Sequence, residues 1–135
     1  MRVYLCGPMT GCSYALASEW RDEARFWLNR HGITALNPMD RDYRDEPFSH
    51  LPALVEEDKI DIELCDILLV NFSEKSVGTS MEIMYGWDHG KRVIVVSEEF
   101  TEDPWLVYHS HNRYTNWEDA FKKIIELRLE AKTYS

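Results

Sequence analysis

The sequence has few cysteines, no long apolar run and no excess of basic residues. Its three cysteines, Cys6, Cys12 and Cys65, are odd in number and far apart, which favours neither a disulfide framework nor a zinc site. No apolar run approaches the roughly 20 residues that a membrane-spanning helix needs. We therefore expect no membrane partner. Because Met1 leads into a strand-like segment with no signal peptide, we also expect a cytoplasmic location.

The charge balance is acidic, with 24 Asp and Glu residues, 15 Lys and Arg residues and a net charge of −9. This balance argues against a nucleic-acid duplex or a tRNA as a partner, because polyanion binding needs a basic face. It does not exclude a single phosphate group, which a helix N-terminus can bind through free backbone N–H groups. A small-molecule ligand is therefore favoured over a nucleic acid polymer.

The pattern of apolar residues predicts one α/β domain over residues 1–135. Short apolar segments predict five strands, at residues 2–6, 33–36, 66–72, 92–96 and 114–115. Helical spacing predicts four helices, over about residues 13–31, 51–65, 79–89 and from 117 onward, whereas residues 39–50 and 97–113 are predicted to be irregular. Strands that alternate with helices indicate a flavodoxin-like or Rossmann-like three-layer sandwich, with a five-stranded parallel sheet in the order 2-1-3-4-5.

In that strand order the first and third strands are neighbours, and the chain leaves them toward opposite faces of the sheet. A ligand crevice then lies beyond their carboxyl ends. Two segments meet at this crevice, residues 7–11 after the first strand and residues 76–82 after the third. The topology alone therefore directs attention to the carboxylate of Glu82.

Glu82 and Asp58 each have a structural and a functional interpretation. Thr79 and Glu82 have the spacing of a capping box with Thr79 as N-cap, which would make Glu82 structural. Asp58 interrupts the apolar stripe of Leu54 and Ile62, and a carboxylate that faces a core must be paired or functional. Two carboxylates near a possible phosphate loop fit a reaction at a glycosidic bond.

The remaining candidates are less specific. The loop Gly7-Pro8-Met9-Thr10-Gly11 lacks the lysine of a P-loop and the third glycine of a dinucleotide fingerprint, so it is either an anion-binding loop or an ordinary turn. His109 and His111 lack the other ligands of a metal site, and we expect neither a metal nor a cofactor. Cys6 is interpreted as a small buried side chain rather than a nucleophile.

Three segments resemble the nucleoside 2-deoxyribosyltransferase superfamily, which includes base-exchanging transferases and nucleoside 5'-monophosphate N-hydrolases. They are residues 4–11 (YLCGPMTG), Asp58 with Asp66 eight residues later, and residues 78–86 (GTSMEIMYG). The resemblance runs from Val3 to about Phe121 and is closest to the N-hydrolase branch.

The resemblance implies a role for each matching residue. Glu82 matches the family's glutamate nucleophile, which forms a glycosyl-enzyme ester at C1', and Tyr4 matches a tyrosine that holds that carboxylate. Asp58 matches an aspartate of the sugar and base pocket, a candidate proton donor to the departing base. Ser76 matches a serine that contacts phosphate in the monophosphate hydrolases, where the free-nucleoside transferases have an aspartate. Further substrate contacts are implied for Gly78 and for Gly7, Pro8, Met9, Thr10 and Gly11.

The resemblance also implies a reaction and an assembly. The implied reaction is hydrolysis of the N-glycosidic bond of a (deoxy)nucleoside 5'-monophosphate through a covalent intermediate on Glu82. The alternatives are base exchange on free nucleosides and a non-catalytic nucleotide-binding or sensing module. Ser110, His111 or Asn112 falls near the position where the family's neighbouring subunit contributes to the site, and Asn112 is the residue selected. This implies a homodimer or larger homo-oligomer with a shared active site. Asp40, Asp42 and Tyr43, in the long polar loop, are candidates for selecting the base.

Overall fold

The computed structural model describes residues 1–41 and 51–134. Its strands are β1 (Arg2–Cys6), β2 (Thr34–Leu36), β3 (Ile67–Asn71), β4 (Arg92–Val96) and β5 (Asn112–Tyr114). Its helices are α1 (Tyr14–Arg30), α2 (Leu51–Leu64), α3 (Val77–Asp88), α4 (Pro104–Tyr108) and α5 (Trp117–Tyr134), with a 3-10 turn at Pro38–Arg41. None of these helices is both long and apolar enough to cross a bilayer, within the part of the chain described.

The five strands form one parallel sheet in the order β2-β1-β3-β4-β5, which confirms the predicted α/β fold and strand order. In the register of β1 with β3, Tyr4 pairs with Leu68 and Cys6 pairs with Val70. The two strands therefore end side by side. Their carboxyl ends form the predicted switch point.

Successive strand residues point to opposite faces of the sheet, so the sheet has two separate cores. On one face, Val3 and Leu5 pack with buried residues of α1 and α5. On the other face, Tyr4 and Cys6 pack with buried residues of α2, α3 and α4. Tyr4 and Cys6 thus point into the layer whose helices carry Asp58 and Glu82.

The start of α3 corrects the capping-box interpretation. Ser76, not Thr79, is the N-cap, because the Ser76 Oγ accepts a 3.3 Å hydrogen bond from the Thr79 backbone N–H. The buried Thr79 hydroxyl also donates to Ser76 Oγ, at 2.9 Å. Glu82 is the sixth residue of the helix, beyond the first turn whose N–H groups need caps. A capping role therefore does not explain Glu82.

The segment predicted to be irregular contains the short helix α4. Asp103 is its N-cap and accepts hydrogen bonds from the N–H groups of Trp105 and Leu106, at 3.0 and 3.2 Å. Pro104 occupies the first helical position, where its missing N–H costs nothing. Five residues are too few for a helical period to be visible in the sequence. Strand β5 begins two residues earlier than predicted, at Asn112.

Candidate active site

Glu82 faces the crevice from α3 with a carboxyl group that is mostly shielded from water. Burial, followed by the charge of Asp58, raises the pKa of Glu82 from 4.5 to about 7. The nearby Tyr4 hydroxyl, Cys6 thiol and Arg21 charge oppose this rise. A carboxyl group with this pKa can be protonated or ionised near neutral pH, as acid, base and nucleophile roles require.

Tyr4 approaches Glu82 from the middle of β1 and is fully buried. Its pKa is raised well above 10, first by burial and then by the charge of Glu82. Among the described residues, its hydroxyl is the one buried side-chain polar atom without a hydrogen-bond partner of ordinary geometry. An unpaired buried hydroxyl costs about 1–3 kcal/mol, and the Glu82 carboxylate is the acceptor that lies beside the Tyr4 hydroxyl.

Cys6 follows Tyr4 on the same face of β1 and is fully buried. Its Sγ lies 3.9 Å from the carbonyl oxygen of Thr79. Burial, with the charge of Glu82, raises the pKa of the Cys6 thiol well above its usual value. The group is therefore a thiol and not a reactive thiolate, in agreement with its interpretation as a small buried side chain.

Asp58 reaches the same crevice from α2, with 20% of its side chain exposed. Burial raises its pKa from 3.8 to about 6, and Asp61 contributes to the rise. Arg41 opposes it through a contact of 3.2 Å between its Nη2 and Asp58 Oδ1. Asp58 is thus paired with Arg41, as the structural interpretation requires, and it also lies near Glu82, as the functional interpretation requires.

The loop after β1 is anchored by a buried arginine that the sequence analysis did not single out. Arg21 is fully buried and donates to the carbonyl oxygens of Leu5 (3.3 Å), Ala17 (2.7 Å) and Gly7 (2.8 Å). Its charge lowers the pKa of both Glu82 and Asp58. The signal was present in the sequence, because Arg21 falls four residues after Ala17 on the buried face of α1.

The far end of that loop is exposed to solvent. Pro8 is buried, Gly7 and Met9 are half-buried, and Thr10 and Gly11 are exposed. A hydrogen bond of 3.1 Å from the Cys12 N–H to the Met9 carbonyl closes a turn, and Gly11 has a φ of +83°. The loop follows directly after β1, the strand that carries Tyr4 and Cys6.

Ser76 and Gly78 lie in the first turn of α3 or immediately before it. Ser76 is half-buried, and its Oγ accepts both of its described bonds from Thr79, so its own proton remains to donate. Gly78 is exposed, and a Cβ added there would meet no atom within 4 Å. Packing therefore does not require a glycine at residue 78.

A groove of about 620 Å³ lies between α3 and α4, on the flank of α3 opposite Glu82. At 100° per residue, the groove residue Ser80 and Glu82 point about 200° apart. Ser76 also lines the groove, with apolar side chains that include Met81, Met84 and Trp105. The groove is therefore not the space between the two carboxylates.

Asn112, His109 and His111 lie away from Glu82 within this chain. Asn112 is on the edge strand β5, separated from β3 by β4, and its Oδ1 accepts a 3.2 Å hydrogen bond from Arg92 Nε. His111 Nδ1 accepts from the Val93 N–H at 3.0 Å. Across residues 1–41 and 51–134, no three His, Cys, Asp or Glu side chains are grouped to hold a metal ion.

The three candidates for base selection have different outcomes. Asp40 is mostly exposed and forms an ion pair with Arg25, at 2.6 Å between Oδ2 and Nη2. Asp42 and Tyr43 lie outside the described residues. The neighbouring Arg41, which the sequence analysis did not select, contacts Asp58 instead.

Comparison with known proteins identifies the family of this chain. The sequence profile of the nucleoside 2-deoxyribosyltransferase family matches residues 3–123. No curated protein sequence shows significant similarity to the chain.

Solved structures share the fold at low sequence identity. The 2-deoxyribosyltransferase of Bacillus psychrosaccharolyticus is 19% identical with a TM-score of 0.72, over 89% of this chain and 90% of that one. The enzyme of the same description from Leishmania mexicana is 17% identical with a TM-score of 0.69, over 93% and 97% of the two chains. The CMP N-glycosidase BcmB of Clostridium botulinum is 19% identical with a TM-score of 0.62, over 95% and 99%.

The family profile spans most of the chain, and the solved structures share its fold over nearly their whole length. The protein therefore belongs to the nucleoside 2-deoxyribosyltransferase family and is an enzyme of the deoxyribosyltransferase and N-glycosidase group.

Proposed function

We propose that the protein hydrolyses the N-glycosidic bond of a (deoxy)nucleoside 5'-monophosphate, releasing the free base and (deoxy)ribose 5-phosphate. The observation that carries this proposal is the convergence of Glu82, Asp58 and Tyr4 on one crevice at the carboxyl ends of β1 and β3. Two carboxylates that titrate near neutral pH can divide the roles of nucleophile and acid. The substrate is a small free nucleotide, which fits a cytoplasmic location.

In the proposed mechanism, the Glu82 carboxylate attacks C1' on the face opposite the base. The bond between C1' and the base nitrogen breaks, and its electron pair accepts a proton that Asp58 gives up. The ionised Asp58 then removes a proton from water, which attacks C1' and releases Glu82. Two displacements at C1' give retention of configuration.

This mechanism requires one proton on the pair, held by Asp58 while Glu82 is ionised. The pKa values of about 6 for Asp58 and about 7 for Glu82 place the singly protonated pair between these pH values. The productive arrangement has this proton on Asp58, and its share of the singly protonated pair depends on the groups that contact each carboxyl group. The Tyr4 hydroxyl favours the ionised form of Glu82 and so supports the productive arrangement.

The 5'-phosphate is assigned to the start of α3 and the loop of residues 7–11. The Ser76 hydroxyl has a proton to donate, and free N–H groups at a helix N-terminus attract an anion. An aspartate at residue 76 would instead repel a phosphate. Ser76 therefore supports a monophosphate over a free nucleoside.

The second candidate function is base exchange on free nucleosides. It is favoured by the family to which the chain belongs and by the two 2-deoxyribosyltransferase structures that share its fold. Both reactions share the glycosyl-enzyme step, and they differ in whether water or a second base accepts the sugar.

We also propose that two copies share each active site, with Asn112 contributed by the neighbouring subunit. In its own chain Asn112 lies two strands from β3. Trp105 and Tyr108, on the preceding helix, are 73% and 69% exposed, and aromatic residues of this kind are enriched in interfaces. Substrate specificity would then depend on both copies.

The test is to incubate the purified protein with each ribo- and deoxyribonucleoside and with each 5'-monophosphate, and to follow the release of free base. We expect base release from a monophosphate and its loss in Glu82→Ala. Higher activity on nucleosides when an acceptor base is present would instead show that the protein is a base-exchanging transferase and not a hydrolase. Mass spectrometry of the stalled reaction with a slow fluorinated substrate should find the sugar phosphate on the peptide that contains Glu82. Its attachment elsewhere would contradict the assigned nucleophile.

A further inference from the structure

Arg41 ends the 3-10 turn after β2, and its guanidinium contacts three carboxylates of α2. Its Nε lies 2.9 Å from Glu57 Oε2, and its Nη2 lies 2.8 Å from Asp61 Oδ2 and 3.2 Å from Asp58 Oδ1. The contact with Asp61 is the shorter of the two that Nη2 makes. One arginine thus joins the candidate proton donor to two acids that the proposed reaction does not use.

This cluster is more shielded than an ordinary surface ion pair. The side chains of Arg41, Asp58 and Asp61 are 28%, 20% and 16% exposed. Charge-assisted hydrogen bonds are strong and directional, and partial removal from water increases their effect. A guanidinium held at two points by Glu57 and Asp61 therefore offers Asp58 a fixed donor.

We propose that Arg41 is a positioning residue for Asp58, which fixes that carboxylate through Oδ1, leaves Oδ2 to carry the proton, and sets how readily the proton is released. The inference rests on the proposed function, because it takes Asp58 as the acid. It assigns a role in that reaction to Arg41 and, as the residues that hold Arg41, to Glu57 and Asp61.

The charges around Asp58 determine the sign of the expected effect. The groups that face it are Arg41 on the 3-10 turn, Glu57 and Asp61 on α2, Arg21 on α1, Tyr4 and Cys6 on β1, and Glu82 on α3. Burial raises the pKa of Asp58 most, the charges of Arg41 and Arg21 lower it, and the charge of Asp61 raises it. Removal of the Arg41 charge should therefore raise the pKa of Asp58, and removal of the Asp61 charge should lower it.

The experiment measures kcat/KM for base release against pH in the wild type, Arg41→Gln and Asp61→Asn. We expect a bell-shaped profile, because Glu82 must be ionised and Asp58 protonated, and its alkaline limb should report loss of the shared proton. We expect this limb to move to higher pH in Arg41→Gln and to lower pH in Asp61→Asn, whose amide still accepts a hydrogen bond. Loss of the fixed orientation should also lower kcat of Arg41→Gln about tenfold or more.

Two further variants separate charge from geometry. Arg41→Lys retains the charge without the planar fork, so it should keep the alkaline limb near its wild-type position while kcat falls. Arg25→Gln is the matched control, because Arg25 is ion-paired with Asp40 of the same 3-10 turn and has no described contact with Asp58. We expect it to change neither limb nor kcat. An alkaline limb that stays unchanged in both Arg41→Gln and Asp61→Asn would overturn the proposal.

A titration that does not depend on activity distinguishes this inference from the proposed function. Carbon-13 NMR of aspartate carboxyl groups, with Asp58→Asn used to assign the resonance, gives the pKa of Asp58 directly. The same opposite shifts in Arg41→Gln and Asp61→Asn are expected there. If the wild type releases no base from any substrate, the proposed function fails, whereas absence of the NMR shifts defeats the role of Arg41 alone.

Discussion

Nη2 of Arg21 donates a 2.8 Å hydrogen bond to the carbonyl oxygen of Gly7, so a fully buried guanidinium of α1 holds the loop that follows β1. The same side chain bonds the carbonyl of Leu5, the penultimate residue of that strand. Since these bonds fix the loop before substrate arrives, less ordering is needed on binding. The ring of Trp20 packs directly beside Gly7.

Gly7→Ala should destabilise the protein by about 1–3 kcal/mol, as overpacking does. The added Cβ would lie 2.7 Å from Trp20 Cζ2 and 3.2 Å from Asn71 Cβ. Trp20 cannot move freely, because it is stacked on Trp117 with ring centroids 5.3 Å apart. Urea unfolding gives the difference in the free energy of unfolding.

Gly78→Ala is the matched control for that substitution. Its added Cβ meets nothing within 4 Å, and alanine favours a helix over glycine by up to about 1 kcal/mol. It should be neutral or stabilising. Equal destabilisation by the two substitutions would refute the proposed steric role of Gly7.

Glu82→Gln should make stability less dependent on pH. The pKa of Glu82 is raised from 4.5 to about 7 in the folded protein, so its contribution is fully present below pH 4.5 and is lost as pH rises through 7. The stability of the variant relative to the wild type should therefore increase between pH 4.5 and pH 8, by at most about 3 kcal/mol.

Urea unfolding at several pH values between 4.5 and 8 measures this difference. Substitution of the exposed Glu118 of α5, Glu118→Gln, is the control variant. A difference between Glu82→Gln and the wild type that stays constant with pH would mean that burial does not raise the pKa of this carboxyl group.

Ser76→Asp should selectively weaken the use of 5'-monophosphates. Aspartate is as good an N-cap as serine, so α3 should still form, while its negative charge repels the phosphate. Ser76→Ala should lower stability by about 1 kcal/mol through loss of the cap, without the same charge repulsion. Ratios of kcat/KM for a monophosphate and its nucleoside measure the preference, and an unchanged ratio in Ser76→Asp would remove Ser76 from the phosphate site.

A shared active site predicts complementation between two inactive variants. Glu82→Ala and Asn112→Ala should each lose activity alone, whereas dimers that contain one copy of each have one complete site. Random re-association of equal amounts should restore about a quarter of wild-type activity, because half of the dimers are mixed and each has one intact site. A mixture as inactive as its parents would show that Asn112 does not act across subunits.

The sequence by itself determined the order of the five strands and of four helices, and the position of Glu82 beside the switch point. Strands β1 and β4 were predicted to the residue, because apolar runs ended by glycine or polar residues are local signals. Helix α1 was also predicted within one residue at each end, from the apolar period between Ser13 and Gly32. Because strands and helices alternate, the sequence predicts a parallel sheet with a switch point, and Glu82 lies beside that point.

Tertiary structure alone decided which side chains surround the two carboxylates. Arg41 contacts Asp58, which lies 17 residues later in the sequence. Thr79 is not the N-cap of α3; its hydroxyl bonds to Ser76, which is the N-cap. Such partners depend on how separate helices pack on the sheet, which no local period encodes. The raised pKa values of Glu82 and Asp58 have the same origin, because burial is a property of the packed layers and not of the residues themselves.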